Sequence, residues 1–203
     1  MKLWEDFHPR VMPYVIGCPT PMVNQALTDA AREFCVTTKA WQETEEFPAF
    51  ADVSVLDFDK PTGTEVLQVM GVKVDGKPLR VLNHISVPTP EEEGGVNPQT
   101  IYRVNEEQYR ILPQPSAGQA VSITLALRPM QSGAGVGDTV FEKYVETIAA
   151  GARAILQRLP RRDWTDMAQA GIDRAKFDKD MYWIANQPFM QNEPSQHRVR
   201  KWG

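Results

Sequence analysis

Apolar side chains recur at three- and four-residue steps in the first quarter of the chain. The stripe runs from Val23 to Cys35 and follows a Thr-Pro pair that begins at Thr20. Threonine is a favoured N-cap, and proline is favoured in the first helical turn. The pattern therefore predicts a helix that starts near Thr20 and ends between Lys39 and Trp41. Cys35 lies on the stripe, so we expect it to be a buried small hydrophobe.

Apolar and polar positions alternate between residues 47 and 130, which is typical of strands. The clearest case is 120–127, where every second residue is Val, Ile or Leu. Residues 108–112 follow the same rule, so both segments are predicted to be strands. This part of the chain therefore favours an inserted antiparallel β-module.

A tight turn and a long loop interrupt the predicted strands. The Asp75-Gly76 pair is typical of a two-residue hairpin, here between strands over 68–74 and 77–82. The segment 88–98 is rich in proline, glycine and glutamate. We expect it to be a solvated loop.

A glycine-rich stretch leads from the β-module to a second long helix. The sequence Gly133-x-Gly135-x-Gly137 lacks the lysine of a phosphate-binding loop, so we expect a flexible linker. Thr139 and Glu142 match a capping box, which predicts the start of the helix. Its long apolar face ends before a proline, which cannot continue a helix.

A last helix is predicted from Asp163 or Thr165 to about Asn186, and Pro188 closes it. Asp173 is expected on its polar face. The second helix contains a small-residue cluster, which favours close packing within the chain or between subunits. The cluster comprises Ala149, Ala150, Gly151 and Ala152. Tryptophans near the helix ends are expected in the core of a helical bundle. These tryptophans are Trp41, Trp164 and Trp183.

The patterns together predict an α+β protein. A small helical bundle of about three long helices carries an inserted antiparallel β-module and extended N- and C-terminal arms. Residues 1–46 form the N-terminal arm and first helix, and 47–130 form the β-domain. Residues 131–186 form the C-terminal helices, and 187–203 form an extended tail. A chain of 203 residues can bury a core of its own without a disulfide or metal.

Both predicted arms carry aromatic and apolar side chains, although free tails are usually polar. The N-terminal ones are Trp4, Phe7, Val11, Tyr14 and Ile16. The tail contains Phe189, Met190 and Trp202, and its final residues give it a charge of +2 on a chain of net charge −4. Such residue types are enriched at protein interfaces. We expect the arms to pack on a partner or on the chain's own body.

Composition and motifs point away from catalysis, nucleic-acid binding and membranes. A mildly acidic chain with a pI near 5.5 is a poor ligand for the phosphate backbone. Cys18 and Cys35 form no CxxC motif and the three histidines are scattered, so we expect no metal, disulfide framework or cofactor. We find no apolar leader or 18-residue apolar run, so neither a signal peptide nor a membrane span is expected. We expect no enzyme activity, although a hydrolase built from distant carboxylates stays open as an alternative.

The order of several short motifs resembles a known family. Gly17-Cys18-Pro19-Thr20-Pro21 precedes Ala26-Leu27-x-x-Ala30-Ala31-Arg32-Glu33-Phe34-Cys35 and Trp41. The closing half has Leu127-Arg128-Pro129, then Tyr144-x-x-x-Ile148-x-x-Gly151-Ala152-x-x-Ile155-Leu156, Trp164, Ala168, Phe177 and a basic end. In this order they resemble the head-to-tail adaptors, or connectors, of tailed bacteriophages, of the portal-binding, podovirus tail tubular protein A-like type.

The resemblance implies a structural virion protein without catalysis or cofactor. Such adaptors form a ring, usually of twelve subunits, beneath the portal at one capsid vertex. The implied partners are the portal protein, the downstream nozzle or tail-tube protein, further copies of the chain, and genome DNA that passes through the lumen without sequence-specific binding. The family's tail typically docks on the portal. The implied portal-binding residues are Phe189, Met190, His197, Arg198, Val199, Arg200, Lys201 and Trp202.

A binding module is the main alternative function. In that interpretation the chain is a virion protein whose β-module recognises a carbohydrate or another surface ligand. Tyr102, Tyr109 and the loop 88–98 are its candidate contacts.

Overall fold

The computed structural model describes residues 1–49, 60–85, 97–105 and 108–191. In these ranges the chain is mixed α+β, with four α-helices and several antiparallel strand pairs. The predicted α+β class is therefore confirmed. The helices are α1 (His8–Val11), α2 (Thr20–Thr38), α3 (Asp138–Gln157) and α4 (Met167–Gln191).

The N-terminal segment is folded, and the prediction of an extended arm is wrong. A short strand, β1 (Lys2–Leu3), leads into a 3₁₀ turn, α1 and a second 3₁₀ turn. Trp4, Phe7 and Val11 are buried in the core. Pro9 and Pro13 fall at the first turn of α1 and of the second 3₁₀ turn, where a missing N–H is tolerated. Helices of three or four residues are too short to show a period in the sequence.

Helices α2, α3 and α4 pack against one another around the small-residue cluster. A Cβ on Gly151 would lie 3.0 Å from the Ala30 Cβ on α2 and 3.0 Å from the Phe177 ring on α4. Such a contact is tighter than normal packing, so only glycine fits without a shift of its neighbours. All four residues of the cluster are buried within the chain.

Three sheets complete the fold. Their further strands are β2 (Gln42–Pro48), β3 (Thr64–Val74), β4 (Lys77–Pro78), β5 (Arg80–Ile85), β6 (Thr100–Arg103), β7 (Tyr109–Leu112), β8 (Ala120–Pro129) and β9 (Gly135–Val136). The largest sheet has the order β2-β8-β3-β4, the second has β5-β6-β7, and β1 pairs with β9. The large sheet begins at Gln42, five residues before the predicted start of the β-domain.

The hairpin at Asp75-Gly76 is confirmed, but its second strand differs from the prediction. β4 ends at Pro78, and β5 then joins the second sheet, where it runs parallel to β6. β4 is the edge strand of its sheet, which is where proline is tolerated. The β-module is therefore not antiparallel throughout.

One contiguous core joins the sheet to the helices. Buried side chains of β8 and β3, such as Leu127 and Val69, belong to the same cluster as Phe34 and Ile148 of the helices. The predicted strand over 120–127 is confirmed, with its apolar residues inside. Cys35 is fully buried, as expected.

The glycine run is closely packed, and the prediction of a flexible linker is wrong. A Cβ on Gly133 would lie 2.8 Å from the Gly63 carbonyl oxygen, and one on Gly137 would lie 2.8 Å from Trp41 Nε1. A Cβ on Gly135 would overlap the carbonyl of Lys2 in the paired strand β1. Each glycine is needed because another segment comes too close for any side chain.

Helix α3 starts at Asp138 after Gly137, and no side chain caps it, so the predicted capping box is wrong. The side chain of Asp138 instead forms an ion pair 2.9 Å long with the N-terminal amine of Met1.

Helix α4 starts and ends later than predicted. Thr165 serves the preceding loop, where its hydroxyl donates to the Leu159 carbonyl at 2.5 Å. Asp166 caps the helix by accepting from the Gln169 amide at 2.9 Å. The helix then continues past Pro188 to Gln191, so residues 187–191, which the sequence assigned to the extended tail, are helical, and the prediction that Pro188 ends the helix is wrong. A proline removes one backbone donor, but a helix can pass through it with a local bend.

Candidate functional site

A buried ion pair fixes the N-terminal segment to the long helices. Arg153 of α3 donates to Asp173 of α4 through Nη2 at 2.7 Å and through Nε at 3.1 Å, and both side chains are less than a tenth exposed. Its Nη1 donates to the Arg10 carbonyl at 2.8 Å, and the guanidinium lies 4.6 Å from the centre of the Tyr14 ring. Each of the three guanidinium nitrogens donates to a group of the same chain, which indicates a structural role. Asp173, expected on the polar face, is therefore buried.

A second charged contact joins α2 to α4. Arg174 donates to both carboxylate oxygens of Glu33, at 2.9 and 2.5 Å, and also forms an ion pair with Asp178. The hydrogen bonds to Glu33 raise the pKa of Arg174, and Asp178 adds to that rise against the opposing effect of burial.

A third charged contact joins α2 to the large sheet. Glu65 of β3 accepts from Arg128 at 2.8 Å and from Arg32 at 2.6 Å. Partial burial alone would raise the pKa of Glu65, but the hydrogen bonds from the two arginines hold it below its usual value.

The thiols do not form a reactive or metal-binding site. Burial raises the pKa of Cys35 to about 12, against a small opposing effect of Lys39 and Arg128. Burial also raises the pKa of Cys18. Among the described residues, no three His, Cys, Asp or Glu side chains come together as metal ligands.

Two surface clefts carry no catalytic constellation. One, of about 470 Å³, lies between β2 and residues 60–62 and contains Glu43, Glu45 and Lys60. The other, of about 390 Å³, lies at the start of α2, where Asn24 and Gln25 face Gln131. Their linings are mixed amides, hydroxyls and charges, and neither contains a histidine or a cysteine.

The outer face of α4 carries large apolar side chains in solvent. Ile172, Tyr182 and Trp183 are 63%, 65% and 48% exposed. The rings of Tyr182 and Trp183 meet edge to face at 6.3 Å. The opposite face of the helix, with Ala170 and Phe177, is already buried in the core. The exposed Lys176 and Lys179 lie between Ile172 and Trp183 on this side of the helix, so the apolar part that is exposed without interruption is the Tyr182–Trp183 pair.

The three tryptophans that the sequence assigns to the core of the helical bundle differ in their exposure. Trp41 is buried, as expected, and Trp164 is half-buried. Trp183 is exposed, so its assignment to the core is wrong. Apolar residues that repeat at helical spacing predict a buried helix face, but the sequence does not show whether the same chain or a partner buries it.

The predicted portal-binding residues fall at and beyond the end of α4. Phe189 and Met190 lie in the last turn of the helix. The others lie outside the described residues; they are His197, Arg198, Val199, Arg200, Lys201 and Trp202. The structure thus places the start of the tail next to the exposed face of α4.

Both candidate tyrosines of the alternative binding module are buried. Tyr102 is 6% exposed and Tyr109 is fully buried. Most of the loop 88–98 lies outside the described residues.

No family model matches the sequence, and no curated protein matches it either. None of the described helices combines the length and the apolar composition that crossing a bilayer requires.

Proposed function

We propose that this chain is a head-to-tail adaptor of a tailed bacteriophage. In the proposal, about twelve copies form a ring beneath the portal, join the capsid vertex to the tail, and surround part of the DNA channel. The portal protein and the downstream tail protein are its partners in the virion. No catalytic step or cofactor is involved.

The exposed face of α4 is the observation that carries this proposal. Three large apolar side chains there, Ile172, Tyr182 and Trp183, are about half or more in solvent. Tyrosine and tryptophan are enriched at protein interfaces, so the exposed ring pair of Tyr182 and Trp183 supports a partner at this part of α4. The face leads directly into the basic, aromatic tail, so a partner could cover both together.

The order of elements also supports the proposal. A long helix precedes the β region and two long helices follow it, which is the order that the adaptor resemblance implies. We propose that α2, α3 and α4 act as a three-helix bundle around which the ring is built. Gly151 at their common contact supports this arrangement.

Binding to the portal protein of the same phage tests the proposal. Native mass spectrometry of the full chain mixed with portal should show a ring of subunits bound to it. The double variant Tyr182→Ser/Trp183→Ser should weaken this complex at least tenfold. Val36→Ser, at a residue 39% exposed on α2, is the matched control and should leave the complex intact. A chain that stays monomeric and ignores the portal would overturn the proposal.

No observation favours the carbohydrate-binding alternative, because both of its candidate tyrosines are buried. A ring stacked on a glycan needs an exposed aromatic face, and these two rings cannot provide one.

A further inference from the structure

The last residue of α3 carries a side-chain amide that is enclosed by the protein. Gln157 is only 2% exposed. Its Oε1 has no contact with solvent and accepts no hydrogen bond from any residue that the structure describes. Arg153, one turn earlier and also buried, has hydrogen-bond partners for its three nitrogens. A buried amide oxygen has lost its bonds to water, so it needs a replacement donor, and the described side chains do not supply one.

An enclosed donor in the same condition lies in the loop that follows α3. Trp164 Nε1 has no contact with solvent and donates to none of the described residues. The loop folds back on the end of α3, because the Asp166 amide donates to the Gln157 backbone carbonyl at 3.1 Å. Thr165 adds a second link by donating to the Leu159 carbonyl at 2.5 Å. Trp164 therefore belongs to the same junction of helix and loop as Gln157.

Water is the ligand whose chemistry suits an enclosed acceptor and an enclosed donor together. It donates to an amide oxygen and accepts from an indole N–H at the same time. A cation would be repelled by the N–H group and by the guanidinium of Arg162, which lies 6.0 Å from the centre of the Trp164 ring. An anion would be repelled by the amide oxygen. Neither Gln157 Oε1 nor Trp164 Nε1 is reached from solvent, so a side chain of a partner protein does not reach them either.

The argument does not depend on which way the amide of Gln157 is turned. If the amide is rotated by half a turn, Nε2 takes the enclosed position of Oε1. Two N–H groups then face the junction, and a water oxygen accepts from both of them. Water fits in either orientation, whereas a direct bond between Gln157 and Trp164 is possible in only one.

We propose that one internal water molecule bridges the Gln157 amide and Trp164 Nε1. Waters of this kind bind buried polar groups that lack other partners, and they form part of the native structure. The bridge adds a third link between the end of α3 and the loop, beside the bonds of Asp166 and Thr165. It concerns a single chain and holds whether or not the chain binds portal, so it goes beyond the proposed function.

A crystal structure of the full chain, at a resolution that shows ordered waters, tests the bridge. We expect a water oxygen about 2.7 to 3.2 Å from both the Gln157 amide and Trp164 Nε1. Gln157→Met, which keeps a similar shape without hydrogen-bonding N or O atoms, should remove that water. Gln187→Met, the same change at an exposed residue of α4, is the control and should keep it. A direct bond between Gln157 and Trp164, or no water at this junction of the native chain, would overturn the proposal.

Nuclear magnetic resonance tests the same water in solution. A long-lived internal water gives a negative nuclear Overhauser cross-peak to a nearby proton, and rotating-frame spectra separate this signal from proton exchange. We expect the cross-peak at the Trp164 indole proton, which is identified by its loss in Trp164→Phe. The Trp183 indole, at a residue 48% exposed, should lack it. Persistence of the Trp164 cross-peak in Gln157→Met would overturn the bridge.

The outcomes are separate from those of the proposed function. None of these measurements uses portal protein, so a missing water leaves the adaptor function untouched, and a chain that ignores portal leaves the water site untouched. If Gln157→Met does not fold, the crystal structure and the spectrum of the native chain still decide, because each reports the water without a variant.

Discussion

At the scale of single residues, the contacts of α2 with α3 and α4 leave no space for added volume around Cys35 and Gly151. Cys35 is fully enclosed, and burial raises its pKa to about 12. A Cβ added at Gly151 would lie 3.0 Å from both Ala30 and Phe177. Gly171, on the exposed side of α4, has open space around the same position. The three residues give predictions of different sign.

Cys35→Ser should lower the free energy of unfolding by about 1 to 3 kcal/mol, because a hydroxyl replaces an apolar thiol in a site without solvent. Chemical denaturation measures the change. Val36→Ser, at the exposed neighbouring position, should change the stability by less than about 0.5 kcal/mol. Equal stability of Cys35→Ser and the native chain would mean that the thiol is not enclosed.

Gly151→Ala and Gly171→Ala should have opposite effects. The added methyl at Gly151 would press on Ala30 and Phe177, so we expect a loss of about 1 to 3 kcal/mol. The same change at Gly171 meets no neighbour and should gain about 0.5 to 1 kcal/mol through helix propensity. Thermal melts of the two variants, which share one chemical change, decide whether the helices meet at Gly151. A stabilised Gly151→Ala would contradict the packing.

At the scale of elements, charged side chains fix how helices and strands sit together. Arg153 ties α3 to α4 and to the N-terminal segment, and Glu65 ties β3 to α2 through Arg32. Because its pKa is lowered in the folded state, Glu65 contributes stability that is present above its unfolded pKa. That contribution is lost as the pH falls through the folded pKa.

Glu65→Gln should therefore reduce the loss of unfolding free energy that the native chain shows as the pH falls. We expect the variant to be less stable than the native chain at pH 7 and the difference to shrink steadily towards pH 3. Urea denaturation at several pH values measures it. Glu142→Gln, at an exposed residue of α3, is the control and should leave the profile unchanged. A constant difference across this range would show that the two arginines do not hold the carboxylate.

The tail is the element whose removal should leave the fold intact. Because α4 extends to Gln191, deletion of 192–203 keeps every described element. We expect the melting temperature to stay within about 2 °C and the affinity for portal to fall at least tenfold. A cut after Asn186, which also removes the last helical turn, gives a second point for comparison. Unchanged portal affinity in both truncations would place the interface elsewhere.

The sequence predicts best those elements whose apolar residues repeat over many positions. α2 and β8 show a clear period because each buries one face along its whole length. The N-terminal turns are too short to show one, and the role of Gly133 depends on a segment 70 residues away. The parallel pairing of β5 with β6 likewise depends on contacts between residues far apart in the sequence, which a local pattern does not predict. The sequence does not predict that Trp183 is exposed, because an apolar residue gives the same sequence pattern whether its own chain or a partner covers it.

At the scale of the whole molecule, the chain has unlike surfaces at its two ends. The loop between α3 and α4, with the exposed Arg158, Arg161 and Arg162, lies at one end of the helices, and the start of strand β2 lies towards the other. In the proposed ring, a subunit would contact neighbouring copies, the portal and the next tail protein through different surfaces. The uneven distribution of charge and apolar exposure provides them on a chain of only 203 residues.

Electron microscopy of the native chain mixed with portal protein tests the proposed function most directly. We expect class averages in which a ring of about twelve copies is stacked coaxially on the portal, with a central channel wide enough for duplex DNA. The ring should be absent when 192–203 are deleted. Free portal particles beside unattached single copies of the native chain would contradict the adaptor function.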